Sequence, residues 1–204
     1  MPERVGSRRL PPDARALFTG CGTSFHAALA CGPAAHALEI VLGNTPEADV
    51  LVAISHEGTT SLTCEAVEAF DGEKWLVTGA LESPLARAVD QVVVATPELE
   101  KSYCHTASYT CAIATGRALQ GEDVGGLADE VECELDGGSL GASEHDRFLV
   151  AGAGDDTATV LEAVLKLREG AHVAAEAHHT EQLLHGHLAA VSYTHLTLPT
   201  TPYV

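Results

Sequence analysis

Asp49 to Thr60 reads D-V-L-V-A-I-S-H-E-G-T-T, and the fold follows from how this stretch divides. Val50 to Ile54 is an apolar run with no polar face, which fits a strand of a parallel sheet covered on both sides. Such a strand belongs at the centre of its sheet. At Ser55 the run breaks into a polar loop containing Gly58, and Thr59 or Thr60 then opens an amphipathic segment with apolar positions at Leu62, Ala66, Val67, Ala69 and Phe70. A helix begins with unpaired N–H groups and the positive end of its macrodipole, so a hydroxyl-rich turn at that point suits an oxyanion. The expectation is a phosphate or carboxylate cradle.

Working outward, Ala14 to Thr19 reads as a short buried strand that ends in G-C-G-T-S at Gly20 to Ser24. Two glycines allow a tight bend, and Thr23 or Ser24 is placed to cap a helix from Phe25 to about His36. This turn lacks both the G-x-G-x-x-G spacing and the G-x-x-x-x-G-K-[ST] loop, and alone it is weak. Beside the Ser55–Thr60 turn it forms a pair at the carboxyl ends of neighbouring parallel strands, where open α/β sheets place ligands. Further strands are expected at 38–42, 75–78 and 91–95, with helices at 83–89 and 102–119. Strands and helices in alternation imply an α/β fold with a doubly wound parallel sheet.

Gly121 to Gly141 is rich in Gly, Asp and Glu and reads as a linker. The pattern restarts with F-L-V-A-G-A-G at Phe148 to Gly154, which parallels L-F-T-G-C-G at Leu17 to Gly22. A helix from about Thr157 to Arg168, a short strand at 172–175 and a helix containing His185 complete what is there. The expected organisation is a first domain over 14–120, a linker over 121–146 and a partial second domain over 147–190. From Val191 the chain is a Thr/Pro-rich string without charged residues, resembling translated adaptor sequence, and it is expected to be non-native. A disordered native tail is the other reading.

Composition excludes some partners. Of 204 residues 29 are acidic and 11 basic, a formal charge of -18, which disfavours nucleic acid and anionic membrane surfaces. The lysines are Lys74, Lys101 and Lys166, so an anionic ligand must be held mainly by amides and hydroxyls. The six cysteines show no C-x-x-C spacing and read as reduced core residues of a cytoplasmic protein. No secretory leader or membrane-spanning stretch is visible. The histidines at 172, 178, 179, 185 and 187 have no H-E-x-x-H spacing, and no metal site is expected.

The ordered set G-C-G-T-S, S-H-E-G-T-T, E-K-S-Y-C-H-T-A-S-Y-T, L-E-A-V-L-K-L-R-E and A-E-A-H-H-T-E-Q-L-L-H-G-H-L-A resembles the sugar isomerase (SIS) domain family in its tandem form. The resemblance spans Leu17 to Ala190 and implies a flavodoxin-like SIS domain followed by an incomplete, C-terminally truncated second one. It implies that Gly22, Thr23, Ser24, Ser55, His56, Gly58 and Thr60 hold the phosphate of a sugar. It further implies that Glu169, with Lys166 a turn earlier, moves a proton between C1 and C2, and that His185 assists ring opening and reaches a neighbouring subunit. The implied chemistry is aldose–ketose or amino-sugar phosphate isomerisation, or deamination, through an enediol, in a homodimer and without metal or organic cofactor. A binding module that senses a phosphosugar without transforming it is the competing reading.

Departures from the family pattern bear on that choice. Its S-x-S-G-x-T turn has Glu57 at the second serine, and a carboxylate about 4 Å from a phosphate would cost roughly 4 kcal/mol per charge pair at a surface-like dielectric. Either Glu57 points out of the loop or the ligand is not a simple phosphosugar. The S-T-K motif reads His105-Thr106-Ala107, without its lysine, and H-G-P reads His185-Gly186-His187. The start M-P-E-R offers no N-terminal cysteine nucleophile, so ammonia release from glutamine is not expected.

Overall fold

The computed structural model describes residues 8–137 and 145–187. Five strands, β1 (Ala16–Gly20), β2 (Ala34–His36), β3 (Val50–Ile54), β4 (Glu73–Thr78) and β5 (Gln91–Val94), form a parallel sheet in the order β2-β1-β3-β4-β5. All residues of β3 are buried, and it lies at the middle of the sheet as its unbroken apolar run requires. The helices are α1 (Thr23–Cys31), α2 (Ala37–Val41), α3 (Ser61–Ala69), α4 (Pro84–Ala88) and α5 (Ala107–Leu119).

Alternation along β3 builds two cores. Val50, Val52 and Ile54 face α1 and α5 through Ala27, Ala28, Cys31, Ala112 and Leu119. Leu51 and Ala53 face the other way, toward Ile40, Ala66, Val67 and Leu85 of α2, α3 and α4. Each buried aliphatic side chain contributes about 1.5–3 kcal/mol, so a polar substitution on either face of β3 removes support from a whole helical layer. Arg15 grips Asp49 at 2.8 and 3.1 Å, side by side at the entries to β1 and β3.

Beyond α6 (Leu127–Asp136) lies a smaller unit: β6 (Arg147–Gly152) and β7 (Ala174–His179) pair in parallel, joined by α7 (Asp156–Ala171) and followed by α8 (Thr180–Leu184). Its long helix packs against α1 of the first sheet. The described residues contain no helix long and apolar enough to cross a membrane.

Several expectations need correction. The strand expected at 38–42 is helix α2, and the edge strand is Ala34–His36 instead. Gly32 and Pro33 stop α1 early, and His36 caps α2 by accepting from the Leu38 amide at 3.1 Å. The linker 121–146 contains α6, a helix without a buried residue. The helix expected from Ser102 starts at Ala107, because the preceding segment folds back to cap it. The short strand at 172–175 is longer and later, Ala174–His179, and His185 follows α8 as its C-cap. Of the cysteines, all free, Cys31 is buried and Cys133 exposed, so they are not uniformly core residues. The Thr/Pro-rich string from Val191 lies outside the described residues.

Candidate functional site

β1 pairs directly with β3, yet the helix after β1 packs on one face of the sheet and the helix after β3 on the other. The chain therefore parts at the carboxyl ends of these two strands and leaves a crevice there. Both hydroxyl-bearing turns open onto it. Gly20 lets α1 start hard against its strand, since a Cβ there would lie 2.8 Å from the Ser24 carbonyl carbon.

The turns differ in what they offer. Around α1 the amides of Ser24, Phe25 and His26 are already taken by the Cys21 and Gly22 carbonyls. At α3 the amides of Ser61, Leu62 and Thr63 have no protein acceptor among the described residues. Amides without a protein acceptor are therefore found at the second turn, while the first turn contributes its Thr23 and Ser24 side chains to the lining. Neither Thr23, Ser24 nor Thr60 caps its helix. Ser55 accepts from the Gly58 amide at 3.2 Å and shapes the loop. Glu57 is exposed, and its charge still reaches His56 of the same turn.

The crevice leads into a small hollow that is partly open to solvent. Thr23, Ser24, His56, Thr78, His105, Ser108 and Tyr109 supply its polar lining, and Ala27, Ile54, Val77, Ala95 and Ala112 its apolar floor. His56 is fixed at both ends. Its carbonyl accepts from Gly79 N–H at 2.8 Å and from the Thr78 hydroxyl at 3.0 Å, while its Nε2 accepts from the Glu100 amide at 2.8 Å. The ring of His105 meets it edge-on at 5.2 Å. Burial, and then the facing His105, lower the pKa of His56.

Glu100 closes one side of the site by capping α5. Its carboxylate accepts from the amides of Thr106, Ala107 and Ser108 at 3.0, 3.3 and 2.8 Å. Burial opposes ionisation, but these bonds outweigh it and bring the pKa from 4.5 down to about 2. A depressed carboxylate contributes stability above its ordinary pKa and loses it as pH falls through the folded value. Glu100→Ala is therefore expected to cost about 1–2 kcal/mol at neutral pH, as loss of a helix cap does. In urea unfolding the gap to wild type narrows below pH 4.5 and closes near pH 2; a gap that does not vary with pH would refute the capping role.

Beside Thr23, α7 delivers Glu162, Lys166 and Glu169. Glu162 is 5% exposed and sits against α1, accepting from the Thr23 hydroxyl at 3.1 Å and bonding His26 Nδ1 at 2.7 Å. Lys166 bridges Glu162 at 3.2 Å and Glu169 at 2.7 Å and donates to Thr23 at 3.1 Å. Burial disfavours the charge on both Glu162 and Lys166, but their bonds prevail. The carboxyl pKa is lowered, mainly by His26, and the ammonium pKa is raised, mainly by Glu169. The structure thus brings Thr23, Lys166 and Glu169 together. It does not bring in His185, whose side chain is 78% exposed and pairs with Glu181 of its own helix at 3.3 Å. Among the described residues no group of three or more His, Cys, Asp or Glu could hold a metal ion.

No family model matches the sequence, and neither does any curated protein. Solved structures do match. The C-terminal domain of glucosamine-fructose-6-phosphate aminotransferase from Francisella tularensis aligns with a TM-score of 0.66 at 21% identity, over 86% of this chain and 61% of that one. Glucosamine-6-phosphate deaminase from Thermotoga maritima aligns at 0.72 and 22%, over 85% and 63%. Tagatose-6-phosphate ketose/aldose isomerase from Escherichia coli aligns at 0.73 and 16%, over 86% and 58%. The chain adopts the SIS-domain fold. It spans about three-fifths of the length of these SIS structures.

Sequence reasoning missed four residues of this site. Glu162 had a usable signal, since it stands four residues before Lys166, the favourable order for a helical ion pair. His26 stands three residues after Thr23 in α1, so the two lie on one helix face. Glu100 and Tyr109 had no local signal, because each acts only through the folding back of 95–106.

Proposed function

We propose that this chain is the phosphosugar-binding part of a SIS protein of the aldose–ketose or amino-sugar phosphate isomerase or deaminase type. One observation carries the reading: the two hydroxyl turns lie side by side at the β1/β3 switch point, with unpaired α3 amides at one edge and the Glu169–Lys166 pair near the other. Gly22, Thr23, Ser24, Ser55, His56, Gly58 and Thr60 frame the phosphate end. Glu169 is the base that carries a proton between C1 and C2, and Lys166 holds its carboxylate in place. An exposed His185 fits a residue that serves a neighbouring subunit of a homodimer. Residues 14–120 are the first domain and 147–190 part of a second, of which 188–190 lie outside the described residues. The neighbours' small-molecule chemistry fits a protein of the cytoplasm.

Such a reaction requires one carboxylate poised to take a carbon-bound proton and return it to the adjacent carbon. The test is solvent deuterium incorporation into fructose 6-phosphate followed by NMR. Wild type is expected to exchange the proton shared by C1 and C2, and Glu169→Gln to slow that exchange at least about 100-fold. Exchange that survives the substitution would remove Glu169 from the role. Binding without exchange in wild type would favour the second reading, a sensor module, for which the ready satisfaction of Thr23 by Glu162 and Lys166 speaks.

A further inference from the structure

The hollow has to accept an anion without a lysine or arginine in its lining. The nearest ammonium, Lys166, is held between Glu162 and Glu169 at 3.2 and 2.7 Å and brings no uncompensated positive charge. The chain as a whole carries -18, which adds a repulsive field. Two imidazoles, His56 and His105, remain as the ionisable groups of the lining that can become cationic.

Their hydrogen bonds distinguish them. A backbone N–H only donates, so His56 Nε2, which receives the Glu100 amide at 2.8 Å, must be unprotonated, and the ring is neutral with its proton on Nδ1. Charging His56 would forfeit that bond and loosen the segment that carries the α5 cap. The His105 ring makes no protein hydrogen bond among the described residues, and it lines the hollow with both nitrogens uncommitted. The charges around the pair are Glu57 on the exposed side of the turn, Glu100 bound to α5, and the mutually paired Glu162, Lys166 and Glu169 on α7. Tyr109, its pKa pushed up to about 12 by burial and then by Glu162, stays neutral.

We infer that a phosphate dianion entering this hollow is bound together with one proton, which His105 takes up while His56 stays neutral beside it. The inference rests on the phosphosugar reading of the site. An incoming negative charge favours the charged form of a nearby imidazole, and by linkage the protonated imidazole favours the anion. The bond that His56 Nε2 accepts from the Glu100 amide leaves His105 as the ring of the pair free to take the proton. Affinity rises as pH falls toward 6 and levels off where the ligand's own second ionisation, at about 6, removes its charge.

Calorimetry of the full chain with fructose 6-phosphate at about pH 7, in two buffers of different ionisation enthalpy, counts the protons exchanged. Wild type is expected to take up close to one proton per ligand, and His105→Asn to take up none and bind about tenfold more weakly, as loss of a charge-assisted hydrogen bond does. Buffer-independent binding by wild type, or uptake that persists in His105→Asn, would overturn the inference and leave the phosphosugar reading standing. Failure of wild type to bind fructose 6-phosphate or glucosamine 6-phosphate at any pH would overturn both. Should His105→Asn fail to fold, an NMR titration of wild-type His105 with and without sulfate decides the matter, because sulfate does not itself titrate here. Its midpoint is expected to move upward with sulfate; an unmoved midpoint overturns the inference.

Discussion

Glu162→Ala is expected to destabilise the fold by about 3 kcal/mol, the low end of what removing one partner of a buried ionic cluster costs. The carboxylate is the joint between the first sheet and the smaller unit, since Thr23 and His26 reach it from α1 and Lys166 from α7. Removing it leaves a mostly buried His26 side chain and the Thr23 hydroxyl without their acceptor, while Lys166 keeps Glu169, which is why the larger values are not expected. Urea unfolding measures the effect, and a cycle with His26→Ala isolates the pair, with an expected coupling of about 1–2 kcal/mol. The pH sign follows from the lowered carboxyl pKa. The contribution is complete above the ordinary carboxylate range and disappears as pH falls through the depressed value. A loss below about 1 kcal/mol would class the cluster with solvated surface pairs and separate the two units energetically.

Gly58→Ala is expected to have a similar effect on stability, about 3 kcal/mol, and to abolish phosphosugar binding. Gly58 has φ 66°, a left-handed conformation that costs a residue with a Cβ roughly 1–2 kcal/mol. Space adds to this. The new Cβ would overlap Ser83 Oγ and stand 2.7 Å from Ser83 Cβ, and Ser83 is not free to yield. Its hydroxyl caps α4 by accepting from Ala86 N–H at 3.1 Å, and the Gly58 carbonyl accepts from the Leu85 amide at 3.2 Å. The clash therefore displaces the turn that presents the α3 amides. Thermal unfolding together with fructose 6-phosphate titration tests both parts. A variant that unfolds earlier but binds normally would show that the turn can shift without disturbing the anion site.

The elements that the residue pattern revealed are those whose burial is uniform. Val50–Ile54 could be read directly because an apolar run flanked by a turn has few other solutions, and the helix opening after Thr60 follows from the change of period. The misreadings cluster where local preference and tertiary demand part. Only the β-branched pair Ile40-Val41 made 38–42 look like a strand, whereas Ala37, Leu38 and Glu39 favour helix, and a helical turn capped by His36 brings Ile40 to the core beside Leu51. The acid-rich stretch holding α6 buries nothing, so no periodic core face announced it as more than a linker. At the site, the hydroxyls of both turns were readable as a pair, but their division of labour was not. Which amides are spent on Cys21 and Gly22 depends on how tightly α1 bends away from its strand.

The order of residues alone determined that β3 is buried on both faces, that polar turns follow two of the strands, and that Lys166 and Glu169 share one helix face. These properties depend on neighbours within a few positions, and the periods of strand and helix express them directly. Tertiary structure alone decided that β1 lies against β3, that Glu162 closes on α1, that Glu57 turns outward, and that Glu100 bonds both His56 and the start of α5. Each of these joins residues far apart in the chain through sheet order and crossover, and hydrogen bonds between such partners leave no periodic trace.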